Sequence, residues 1–180
     1  MFFYGRMLEL LTEKREERAV GALSTQSREE AMQFRIETVK KRATVSFPDN
    51  TQMSGCFFVS TVSALGGGEE LVSELLAKNR EYLPFESDEG KTVLLRKENL
   101  VVVCLAEDAT DNALPGYKRV PVVIHLLTGQ IMNGKVSFAQ PETQSRLSDF
   151  LNSRDAFFRF EDGEKTCLIQ NRFVKLIAAD

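Results

Sequence analysis

The spacing of apolar residues changes once along the chain, and that change divides it in two. Within residues 6–42 apolar positions recur at helical intervals among many charges: Met7, Leu8 and Leu11, then Ala31, Phe34, Ile36 and Val39. The spacing predicts two helices or one broken helix. The break falls near residues 21–27, where Gly, Ser and Thr gather and where Ser27, followed by Glu29 and Glu30, can cap a second segment. Residues 1–42 are therefore expected to form an N-terminal helical arm. Beyond Arg42 the period becomes that of strands.

Two stretches of the strand-like region correspond position by position. Thr44-Val45-Ser46-Phe47, the turn Pro48-Asp49-Asn50 and Met53-Ser54-Gly55 match Val123-Ile124-His125-Leu126, the turn Thr128-Gly129 and Met132-Asn133-Gly134. Each continues through an alternating segment and a polar loop into a short helix, with Val72, Leu75 and Leu76 on one apolar face and Leu147, Phe150 and Leu151 on the other. Tyr82-Leu83-Pro84-Phe85-Glu86 then matches Phe157-Phe158-Arg159-Phe160-Glu161, and Thr92-Val93-Leu94-Leu95 matches Thr166-Cys167-Leu168-Ile169. A last strand closes each copy.

The expected fold is accordingly α+β, mostly β: two tandem diverged units, each strand-strand-helix-strand-strand-strand, behind the helical arm. The boundaries are 43–106 for the first unit, 107–118 for a linker rich in Asp, Asn, Pro and Gly, and 119–180 for the second unit. Short, bent antiparallel strands of this kind resemble SH3 or Sm-like small barrels, whose closure removes sheet edges. Two such units would make a pseudo-dimer that shares a buried face.

Composition narrows the function. Lys and Arg number 23 against 26 Asp and Glu, a formal charge of -3, so no global positive field draws the chain to nucleic acid or anionic lipid. The apolar start Met1-Phe2-Phe3-Tyr4 is broken by Gly5 and Arg6, and no run reaches membrane-spanning length, which predicts a cytoplasmic protein. Cys56, Cys104 and Cys167 are widely separated within apolar segments and are expected to be reduced core residues.

Candidate chemistry is sparse. Gly66-Gly67-Gly68 precedes a helix but is followed by Glu69-Glu70, which would repel phosphate. His125 is the sole histidine and lies mid-strand, and the cysteine spacing supports no zinc site. The close carboxylates, Glu69-Glu70, Asp88-Glu89 and Asp162 with Glu164, fall in turns or helix starts. No catalytic, cofactor or metal residue is assigned. Lys40-Lys41-Arg42 is the one compact basic cluster and supports an alternative reading, a nucleic-acid or nucleotide-binding regulator. Asn50 to Gly55 resembles the strand motif of PilZ-type cyclic-dinucleotide receptors, except that Gln52 stands at the serine position.

Arg146-Leu147-Ser148-Asp149-Phe150-Leu151-Asn152, with the Gly134 strand before it and Asn171-Arg172-Phe173-Val174 after it, resembles a family of uncharacterised small bacterial β-rich domains. The resemblance covers roughly the last third of the chain and implies no chemistry. The leading expectation is a non-enzymatic interaction or adaptor protein of bacterial type that binds protein partners and can form a homo-oligomer. Its candidate contact residues are Arg146, Asp149 and Arg154, with Phe2 and Phe3 at the tip of the arm.

Overall fold

The computed structural model describes residues 37–64, 66–106, 118–138, 146–152, 156–163 and 165–179. Its elements in order are β1 (Thr38–Ser46), β2 (Gln52–Ser60), α1 (Val72–Ala77), β3 (Tyr82–Ser87), β4 (Thr92–Arg96), a 3-10 turn (Lys97–Asn99) and β5 (Val102–Leu105). After residues 107–117 come β6 (Lys118–Leu126), β7 (Ile131–Phe138), α2 (Leu147–Leu151), β8 (Phe157–Asp162), β9 (Lys165–Gln170), a second 3-10 turn (Asn171–Phe173) and β10 (Val174–Ala179). The strands form one antiparallel sheet in the order β10-β6-β7-β8-β9-β5-β1-β2-β3-β4.

This overturns the expected α+β pair of SH3/Sm-like barrels. The fold is mostly β, an open ten-stranded sheet with two short helices. The physical reason lies in β5 and β9. A barrel would require each half's last strand to close on its own fourth strand, whereas here β5 pairs with β9 of the other half. The expected arm also claimed residues that are not helical, because 38–42 belong to β1 and pair with β2 from Thr38↔Ser60 to Arg42↔Cys56. Residues 1–36, the remainder of that expected arm, lie outside the described residues, as do 107–117 of the expected linker.

Residues 38–105 and 118–179 follow the same course. Val45 pairs with Met53 as Ile124 pairs with Met132, and Phe57 pairs with Phe85 as Val136 pairs with Phe160. Each half has its own core. The first gathers Val45, Phe57, Val59, Leu83 and Phe85 under Val72, Leu75 and Leu76 of α1. The second gathers Ile124, Leu126, Val136, Phe138 and Phe160, with Leu147, Phe150 and Leu151 of α2 packed against it. The apolar faces read from the sequence for both helices thus face the cores, where Phe57 meets Phe85 edge-on and Phe138 stacks on Phe150.

Gly55 and Gly134 occupy equivalent places in β2 and β7, where the third strand of each half crosses closely. A Cβ on Gly55 would collide with the Glu86 carbonyl and lie 2.6 Å from the Phe85 ring, and one on Gly134 would meet the Glu161 carbonyl and lie 2.6 Å from the Phe160 ring. Backbone carbonyls cannot step aside, so only glycine fits. Ahead of α1, the buried Glu70 carboxylate pairs with Lys78 and accepts the Ser60 N–H at 2.9 Å, tying the glycine-rich loop to the end of β2. Burial opposes its charge, but the Lys78 ammonium and the Ser60 N–H prevail and hold its carboxyl below the usual carboxylate range.

Alanine at Gly55 or Gly134 is expected to cost about 3 kcal/mol or more, read as a lowered urea midpoint; an unchanged midpoint would refute the close crossing. Glu70 titrates lower in the folded than in the unfolded chain, so its contribution is complete above about pH 4.5 and is lost as pH falls through the folded value. Stability measured against pH should therefore decline less steeply on the acid side in Glu70→Gln than in the parent chain.

Candidate interaction surface

The site begins with the ladder between β5 and β9. Residues 102, 103 and 105 of β5 and 166–170 of β9 are buried, with Cys104 half-buried between them, rather than alternating with exposed positions. Strands buried on both faces read this way. Val103, Leu105 and Leu168 point into the first core, whereas Val102, Cys167 and Ile169 point into the second, so each strand supplies side chains to the opposite half. The register is Val102↔Ile169, Val103↔Leu168, Cys104↔Cys167 and Leu105↔Thr166. The Gln170 N–H donates to the Val101 carbonyl at 3.0 Å, and Arg172 of one 3-10 turn stands 3.6 Å from Glu98 of the other.

Cys104 and Cys167 are joined in a disulfide with their Cα atoms 4.1 Å apart. This corrects the expectation of three reduced cysteines; Cys56 alone is free. Alternation of the ladder puts the pair at a non-hydrogen-bonded position, where opposed Cα atoms approach closest. Sixty-three residues separate the two cysteines, which is why their sequence spacing carried no signal.

The outer edges of the sheet are the counterparts of this ladder. Matching pairings with the third strand make β4 equivalent to β9, with Leu94 at the place of Leu168 and Leu95 at that of Ile169. Matching pairings with the first strand make β10 equivalent to β5, with Leu176 at the place of Val102 and Ile177 at that of Val103. Leu94 is 68% exposed where Leu168 is 2%, and Leu176 is 46% exposed where Val102 is 3%. No described strand pairs with the outer side of β4 or of β10. Sequence reasoning missed these residues. The available signal was that Val93-Leu94-Leu95 and Leu176-Ile177 are apolar at successive positions, the mark of a strand meant to be covered on both faces.

The residues singled out from the sequence are dispersed. Lys40 and Arg42 lie on one face of β1 and Lys41 on the other, and each meets a carboxylate: Lys40 with Glu86 at 2.8 Å, Lys41 with Glu69, Arg42 with Asp88 at 3.0 Å. The Lys40 pair has a counterpart in the second half, where Arg119 faces Glu161 at 3.3 Å, so its place is explained by the fold. Arg146 and Asp149 are exposed on the first turn of α2. Arg154, Phe2 and Phe3 lie outside the described residues.

A cleft of about 570 Å³ opens beside the ladder, bordered by Arg42, Gln52, Gln130, Asp162 and Lys165, with the disulfide cysteines among its lining residues. The Thr44 and Ser54 hydroxyls, also on its wall, bond to each other at 2.9 Å. His125 does not line it. Among the described residues no helix is long and apolar enough to cross a membrane.

Protein denatured without reductant is expected to titrate one thiol per chain, and three after reduction. The Cys104→Ala/Cys167→Ala variant should lose up to about 4 kcal/mol of stability, the loop-closure value for a bridge of this span; three thiols without reductant would contradict the bond. Comparison of the chain with family models, with curated proteins and with solved structures finds no match.

Proposed function

We propose that this protein is a non-catalytic interaction module, built from two diverged copies of one unit, that engages protein partners by strand addition at the free edges of its sheet. The observation that carries this reading is the exposure of Leu94 and Leu176 on strands whose outer side no described strand pairs with, when the equivalent Leu168 and Val102 are buried in the ladder. An edge strand presents unused N–H and C=O groups along its length, and natural edges are ordinarily blunted by charge, proline or a bulge. The β10 edge has a bulge between Val174 and Leu176, but from Leu176 to Ala179 it runs regularly, and β4 carries apolar side chains at three of its five positions. Such an edge supplies main-chain hydrogen bonds for affinity and side-chain contacts for specificity.

A basic surface reading has less support, since each cation of the Lys40-Lys41-Arg42 cluster already faces a carboxylate. The compartment belongs to the same proposal: a cytoplasmic location would require the Cys104–Cys167 bond to form against a reducing environment.

The test is capture by the tagged full-length chain at low and high salt, with nuclease treatment, compared with the Leu94→Lys/Leu176→Lys variant. Salt-resistant protein capture that drops at least tenfold in the variant is the expected result. Capture that survives the lysines, or that nuclease abolishes, would overturn strand addition.

A further inference from the structure

We infer that the partner at these edges is a second copy of this chain, with β10 of one copy pairing antiparallel to β4 of the next in the register of the internal ladder. The inference rests on the strand-addition reading above and goes further by naming the occupant. Its warrant is that the molecule already contains one instance of the joint. The strand at the β5 position of the first half accepts the strand at the β9 position of the second. The strand at the β5 position of the second half is β10, and the strand at the β9 position of the first half is β4; both lack a described partner on that side.

Transferring the register residue by residue gives Leu176↔Leu95, Ile177↔Leu94, Ala178↔Val93 and Ala179↔Thr92, from the internal pairs Val102↔Ile169, Val103↔Leu168, Cys104↔Cys167 and Leu105↔Thr166. The hydrogen-bonding phase agrees. The Ser87 N–H donates to the Lys91 carbonyl and the Lys97 N–H to that of Glu81, so alternation turns the backbone groups of Thr92, Leu94 and Arg96 outward. The Ala106 N–H donates to the Arg42 carbonyl, which turns Val103 and Leu105 toward β9, and the equivalent Ile177 and Ala179 toward the free side of β10.

Side chains agree as well. Leu168 enters the core of the half it does not belong to; Leu94 of an incoming copy would likewise enter the second core, beside Ile177. Leu176 would reach the first core of that copy, as Val102 reaches the second here. The disulfide has no counterpart, since Ala178 and Val93 replace the two cysteines, so the joint between copies is held by backbone and apolar contacts alone and is reversible. The two edges differ, so the contact is head-to-tail and generates a ring or a filament rather than a two-fold dimer.

The experiment uses the purified full chain in sedimentation and light scattering over a hundredfold concentration range, with Leu94→Lys and Leu176→Lys made separately. Wild type is expected above twice the chain mass of 20.3 kDa, and each single variant, with unchanged circular dichroism and urea midpoint, at or near the monomer mass. Mixed in equal amounts, the two variants should recover a heterodimer, since one keeps a sound β10 and the other a sound β4. A monomeric wild type at every concentration would overturn self-assembly while leaving strand addition to other proteins standing. Association that either lysine alone leaves intact would overturn both.

Discussion

The structure depends on one ladder, the pairing of β5 with β9. Each half has five strands, a single short described helix and a modest core, and either half alone would leave Val102 or Leu168 facing water. By pairing across the halves, the two strands bury both their faces and lend Leu168 to the first core and Val102 to the second. Burying a side chain of this size is worth about 2 kcal/mol, so the exchange couples the two cores into one folding unit rather than joining finished domains.

The same ladder explains why the sheet is open. A strand has two hydrogen-bonding sides, and β5 spends one on β1 and the other on β9, leaving none for closure on β4. The consequence appears at the far ends, where β4 and β10 keep the apolar character of their internal counterparts with no described strand alongside. The exposed apolar edges and the open topology are thus two results of one pairing choice.

Much of each half was legible from sequence. The glycines matched in sequence, Gly55 and Gly134, stand at equivalent places where only a residue without Cβ can pass under the Glu86 and Glu161 carbonyls, and both helices showed their apolar faces at the correct residues. The hairpin turns also declared themselves: Asn50 and Gly129, at equivalent places, both adopt the left-handed backbone. What could not be read was the partner of each strand. Periodicity reports which faces are buried, not what lies alongside, and a run such as Val101 to Leu105 fits closure of a barrel as well as a joint between halves. The cysteine bridge stayed hidden for the same reason, since Cys104 and Cys167 meet only because β5 and β9 do. Lys40-Lys41-Arg42 looked like a patch in one dimension, but strand alternation sends Lys41 to the opposite face and carboxylates meet all three.

The most direct measurement of the claim that one joint serves both inside the chain and between chains is amide hydrogen exchange as a function of protein concentration. The Val103 and Leu168 amides should be strongly protected at every concentration, and those of Leu94 and Ile177 should pass from fast to slow exchange as concentration rises. Leu94 and Ile177 amides that exchange fast throughout, or a β5–β9 ladder that exchanges as fast as the free edges, would contradict it.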